Sequence, residues 1–199
     1  VALLYSDDHW KPTKLEAQLS SLKKESFSCR VSHTNEIWIR NGIRVNQHKK
    51  HGKNGGDLFE KCLKMCCISP SSALIHRSVF NDLGGFDESL KACEDYDFWL
   101  RYCAFEETHF LNEQLTIKNG GHSDQLSQKY WGMDRFRIYS LEKLLKNKNL
   151  SRSKYELALT ELILKLKILM NGSMKRGKKD FTDELNKKII HFESLLENE

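Results

Sequence analysis

Carboxylates in two groups carry the clearest chemical capacity of this chain. Asp7 and Asp8 stand side by side in "VALLYSDDHWKP", where the apolar run Val1 to Tyr5 breaks into charge. A short continuous apolar run bounded by polar residues predicts a buried, parallel-type strand. Ligands of open α/β sheets bind beyond the carboxyl ends of strands, so the two acids stand where chemistry is expected. Asp8 equally suits the cap of a helix beginning near Pro12, with Leu15, Leu19 and Leu22 as its apolar stripe. The second group lies in "GGFDESLKACEDYDFWLRYC", where Asp87, Glu88, Glu94, Asp95 and Asp97 are interleaved with Phe86, Tyr96, Phe98 and Trp99. The helix macrodipole stabilises acids in a first turn, which accounts for two of them but not for all five. Gly84 and Gly85 ahead of them permit a tight loop. Asp97 and Arg101, at i and i+4, make either a plain helical ion pair or a substrate contact.

The elements that must position these acids alternate. A helix is predicted over about Pro12 to Lys24, then two strand-like runs, "CRVSHT" and "EIWIRNGIRV", the second folded into a hairpin by the Asn41-Gly42 turn. The basic stretch "NQHKKHGKNGG" reads as a loop of the kind that carries recognition. A helix follows over about Asp57 to Cys66, then a strand running into a short helix that stops at Gly84 and Gly85. Another helix spans about Glu94 to Ala104, and "THFLNEQLTIKN" supplies one or two more strands. From Gln125 onward the pattern is helical. Strands alternating with helices indicate an α/β sheet followed by an α-helical region. Leu157, Ile163, Leu164 and Ile168 are expected to form part of a broad packing face.

Composition sets the class. The 199 residues are 39% hydrophobic and 30% charged, with a net charge of +5, as in an ordinary globular chain rather than a disordered one. That charge is a weak signal for nucleic acid, which is not expected as a partner, and it suits anionic small molecules or a lipid-phosphate surface. The six cysteines lack paired C-x-x-C spacing, so free thiols of a reducing cytoplasm are favoured over a metal cluster. The chain starts inside its first predicted strand without a Met, and an upstream part is expected.

"ALLYSDDHWKPTKLEAQ" resembles the metal-binding strand end of family 2 glycosyltransferases, usually written D-x-D-D-x-W-x-P-x-K-L. "GGFDE" followed by "CEDYDFWLR" resembles the acceptor loop and catalytic-base helix of the same family, in the same order. The resemblance implies a partial GT-A fold, a mixed sheet with flanking helices. Residues 1–125 would be the second half of that domain, with the nucleotide-binding part missing, and 126–199 a helical extension. The implied reaction is inverting transfer of a sugar from a nucleoside diphosphate sugar donor to a hydroxyl of a glycan, lipid-linked or protein acceptor. The resemblance makes Asp95 the base and Glu94 its acidic neighbour. Asp7 becomes a ligand of Mg²⁺ or Mn²⁺, with Asp8 beside it at the metal or the donor ribose, since hard oxygen ligands suit these cations. Gly84, Gly85, Asp87, Glu88, Trp10 and Arg101 fall in the acceptor and substrate positions. The implied location is cytoplasmic, with at most peripheral contact at the inner face of a membrane.

The sequence departs from the family pattern at Tyr5, which stands where the first acid of D-x-D is usual and weakens the metal site. His122 in "NGGHSDQLS" is a candidate compensating ligand, and the alternative is a loop histidine ahead of a capped helix. Trp10 and Trp38 suit either stacking on a sugar or base, or burial in the core.

Overall fold

The computed structural model describes residues 1–121 and 129–197. His122 therefore lies outside the described residues. In chain order the elements are β1 (His9–Trp10), α1 (Lys14–Lys24), β2 (Val31–Arg40), β3 (Ile43–Val45), α2 (Phe59–Lys64), β4 (Ala73–Ile75), α3 (Arg77–Leu83), α4 (Glu94–Cys103), β5 (His109–Gly120), α5 (Asp134–Leu145), α6 (Arg152–Met174) and α7 (Lys179–Glu197). The five strands make one mixed sheet in the order β1-β5-β2-β3, with β4 also pairing with β2. Parallel pairing of β2 with β5 is its backbone, whereas β1, β3 and β4 add antiparallel.

Four sequence expectations change. Val1 to Tyr5 is no parallel-type strand: it makes a single antiparallel bridge, Ala2 opposite Leu74, and Val1, Leu4 and Tyr5 are exposed. The two runs around Asn35 are one strand, β2, because the polar Thr34-Asn35 step is a register irregularity opposite β5 and not a break. Helix α1 turns Leu15 and Leu19 to solvent and buries Lys14, Gln18 and Leu22. It can do so because Lys14 Nζ donates to Gln18 Oε1 at 2.8 Å, while Gln18 Nε2 donates to the carbonyls of Ser32 and Ser72, both at 3.2 Å. In α6, Ile163 is buried as expected, but Leu157, Leu164 and Ile168 are exposed, and the packing face is Ala158, Leu159, Leu162, Leu166 and Leu169.

Other local expectations hold. Asn41 and Gly42 both take positive φ, 49° and 76°, and join β2 to β3 as the hairpin signal predicted. Helix α4 starts at Glu94, after Cys93 in a left-handed conformation. The basic loop is pinned at its end by paired backbone bonds between Gly56 and Thr108, 2.8 and 3.0 Å. At Gly55 a Cβ would come within 2.8 Å of the Thr108 carbonyl, so this approach requires glycine.

One hydrophobic core includes Val31 of β2, Phe59 and Leu63 of α2, Phe98 to Leu100 of α4, Leu141 of α5, Leu162 and Leu166 of α6 and Leu185 of α7. The buried pair Glu161–Lys165, 2.8 Å, lies on the inner side of α6, and Lys165 also reaches the Lys64 carbonyl at the end of α2. Among the described residues no helix is long and apolar enough to cross a membrane. Because the C-terminal helices share the core with the sheet side, Leu162→Ala is expected to cost about 2–5 kcal/mol. Chemical unfolding should show the loss in a single transition followed by both tryptophan fluorescence and helical circular dichroism.

Candidate active site

A polar turn joins the two acidic blocks. Residues Pro70–Ser72 form one turn of 3₁₀ helix, all three buried. The Ser71 carbonyl accepts from Trp10 Nε1 at 2.6 Å and from Thr116 Oγ1 at 3.4 Å, while Ser71 Oγ accepts from the Tyr5 N–H at 3.0 Å. Lys118 Nζ donates to Ser69 Oγ at 3.2 Å. Nothing in the sequence marked this turn as a junction, since its role depends on partners far away in the chain.

From there the first block meets the second. Tyr5 Oη donates to Glu94 Oε1 at 3.3 Å. Partial burial, and next the charges of Asp95 and Glu94, push the Tyr5 hydroxyl well above its ordinary range, so it stays a neutral donor. A carboxylate at this position would add a third negative charge beside two. Asp95 Oδ1 accepts from the Tyr96 N–H at 2.7 Å and Oδ2 accepts from the Cys66 thiol at 3.0 Å. Burial, followed by the charge of Asp95, pushes that thiol well above its ordinary value and keeps it protonated. Cys66 lies beyond the end of α2 and so does not extend the helical face expected for it, whereas Cys62 does.

Asp8 is buried, with Oδ1 accepting from the Asn119 N–H at 3.1 Å. Its Oδ2 is buried and makes no well-formed hydrogen bond. Burial raises the Asp8 carboxyl above its ordinary range, against the Ser71 hydroxyl and the Asn119 N–H, which favour the charged form. Asp7 is exposed, and its carbonyl accepts from Asn119 Nδ2 at 2.6 Å. Both acids therefore sit beside β5, at Asn119, and Asp8 is not spent as a helix cap. Among the described residues no group of three or more histidines, cysteines and acids could hold a metal.

The remaining positions separate. Trp10 is fastened to the turn, with Lys14 Nζ 4.5 Å from its ring centre, and Trp38 rather than Trp10 lines the cleft at Asp95. Arg101 is consumed internally: Nε donates to Asp97 Oδ2 at 2.8 Å, Nη1 to the Leu83 carbonyl at 2.6 Å and Nη2 to the Gly85 carbonyl at 2.9 Å. It is thus the ion pair that the i, i+4 spacing suggested, and also the clamp of the glycine loop. Gly84 takes φ 75° in that loop. Lys143 of α5 donates to Asp87 Oδ2 at 2.6 Å and to Asp97 Oδ2 at 3.1 Å. Lys143 and the Ser89 hydroxyl hold the Asp87 carboxyl down at about 2. Glu88 is exposed.

A mixed five-stranded sheet flanked by helices, with acids beside β5 and at the start of α4, fits a GT-A-like domain. Residues 54–151 match the family described as glycosyltransferase like family 2, a stretch that includes the second acidic block. An uncharacterized glycosyltransferase of Rickettsia felis is 38% identical over 130 residues, 63% of this chain and 21% of that protein. One of Rickettsia typhi is 29% identical over 126 residues, 61% of this chain and 39% of its own length. The chain thus spans well under two thirds of these curated relatives.

The Lys143 bridge gives a pH prediction. A carboxyl lowered in the folded state stabilises above its unfolded value, about 3.9, and loses that contribution as pH falls through its folded value. Lys143→Met is expected to lower the thermal midpoint at pH 6, with the gap from the parent protein shrinking between pH 4 and pH 2. Scanning both proteins by calorimetry across that range tests it.

Proposed function

We propose that this segment supplies the acceptor side of an inverting glycosyl transfer from a nucleoside diphosphate sugar. The observation that carries the reading is Asp95, held in the first turn of α4 at the edge of a cleft and joined through Glu94 and Tyr5 to the segment that bears Asp7 and Asp8. Asp95 takes the proton of the acceptor hydroxyl as its oxygen bonds to the sugar's anomeric carbon from the face opposite the leaving group. The bond from that carbon to the diphosphate breaks, and the diphosphate departs with the electron pair. Glu94 holds Tyr5 in place beside the base.

Two adjacent carboxylates with hard oxygens suit Mg²⁺ or Mn²⁺, which need only one or two protein carboxylates when phosphates and waters complete the shell. The buried Oδ2 of Asp8, which makes no well-formed hydrogen bond, supports this fit. Asp7 and Asp8 would hold the cation, with His122 as a further ligand. The cation supplies neutralisation of the charge that builds on the diphosphate. Residues 1–125 act as the transferase part and 126–199 as its helical extension, in the cytoplasm with at most peripheral membrane contact. Acceptors in this reading are glycans, lipid-linked sugars or proteins.

Tyr5 in place of an acid favours one second reading, a glycosyltransferase-like module that binds nucleotide sugar, glycan or a partner protein without turnover. Asp95→Asn in the complete protein separates the two. The enzyme reading expects transfer to fall about 10²–10⁴-fold with donor affinity unchanged, measured by product formation and by donor titration. Unaltered transfer would remove Asp95 as the base. In the same assay, chelation with EDTA should stop transfer, and Mg²⁺ or Mn²⁺ should restore it.

A further inference from the structure

The cleft beside Asp95 is far more basic than a site for a neutral sugar requires. It has a volume of about 140 Å³ and is lined by Lys50, Lys53, Lys61 and Lys118 against only two carboxylates, Glu36 and Asp95. Lys53 is committed to the buried Glu36 at 2.9 Å, and Lys61 donates to the loop at Asn54 Oδ1, 2.8 Å. Lys50 and Lys118 make no ion pair among the described residues, although Lys118 reaches the Ser69 hydroxyl. The charge is felt locally. Burial opposes ionisation of Glu36, yet Lys53 and Lys118 outweigh it and keep that carboxyl below its ordinary range. His51, desolvated first and then repelled by Lys50, His48, Lys53 and Lys118, is held below its ordinary value and is neutral.

An aromatic platform completes the cleft. The Trp38 indole is half-buried, fixed by its Nε1 bond to Glu36 Oε2 at 2.8 Å, with His51 5.1 Å and Lys118 Nζ 6.0 Å from its ring centre. Such a ring stacks on the apolar face of a sugar, and flanking ammonium groups then fall at the sugar's periphery. We infer that the acceptor is an anionic sugar, bearing a phosphate or carboxylate, seated on Trp38 with its charged group at Lys50 and Lys118 and its hydroxyl toward Asp95. This inference rests on the acceptor-side reading given above and adds the chemical class of the acceptor.

The test titrates the complete protein with glucose, glucuronate and glucose 6-phosphate by calorimetry. At least one anionic sugar is expected to bind about tenfold more tightly than glucose, and which one does so separates carboxylate from phosphate. A Lys50→Gln/Lys118→Gln protein should lose that preference while its affinity for glucose is unchanged. Lys50→Gln alone, on an exposed loop that does not carry the fold, should lose about threefold. Equal binding of all three sugars, or a preference that survives in the double variant, overturns the inference. So does displacement of the anionic sugar by inorganic pyrophosphate, because the lysines would then serve the donor's diphosphate. Asp95→Asn keeps the two claims apart. Full transfer in that variant sinks the base assignment and leaves the titration standing, whereas a missing anion preference with transfer lost in Asp95→Asn sinks only the acceptor class.

Discussion

Buried peptide groups need partners, and in this fold the requirement is concentrated at the Ser69 to Ser72 turn. Its carbonyls and hydroxyls accept from residues as distant in sequence as Tyr5, Trp10, Gln18, Thr116 and Lys118. Each such bond is worth only about 1 kcal/mol net, but a buried acceptor left without one costs about 1–3 kcal/mol. The turn therefore penalises any arrangement in which the first block, helix α1 and strand β5 are not gathered together. That gathering brings Tyr5 to Glu94 and Asp8 to Asn119, and so creates the relation between the two acidic groups.

Charge is arranged in two different ways around those acids. Asp87 and Asp97 are neutralised by Arg101 and Lys143 and serve the architecture. Among the described residues Asp95 carries no such cation, only a backbone N–H and a thiol, and it faces a cleft whose lysines are partly uncommitted. Carboxylates that look equivalent in sequence are thus divided by what touches them. The Cys66 thiol is one of those contacts: a neutral donor that orients a carboxylate without discharging it.

What was legible in the sequence were features determined locally. The Asn41-Gly42 hairpin follows from two residues that accept positive φ, and the start of α4 from acids that favour a helix N-terminus. The family resemblance carried the pairing of the two motifs, and the contact between Tyr5 and Glu94 gives it a physical form. Features determined by distant partners were not legible. Whether Val1 to Tyr5 is a strand depends on a neighbour to pair with, and here only Ala2 meets one. Lys14 and Gln18 look like the wet side of α1, yet they are buried because Ser32 and Ser72 offer carbonyls. The exposed Leu157, Leu164 and Ile168 obey the helical period as well as their buried neighbours do, so periodicity alone could not choose between the faces. The basic stretch was readable as a loop, but its convergence with Lys118 and Trp38 required the parallel pairing of β2 and β5.

The clamp that Arg101 places on the loop at Gly84 and Gly85 has an entropic consequence. Glycines leave a chain freest when unfolded, and fixing one backbone residue costs about 1–2 kcal/mol. Here two carbonyls of that loop are already held by a guanidinium that α4 in turn supports through Asp97. The ordering is thus completed during folding, at the cost of that entropy. A loop held in this way is a rigid edge of the molecule rather than a set of interconverting conformations, and any molecule that met it would face encounter and fit rather than a search among loop shapes.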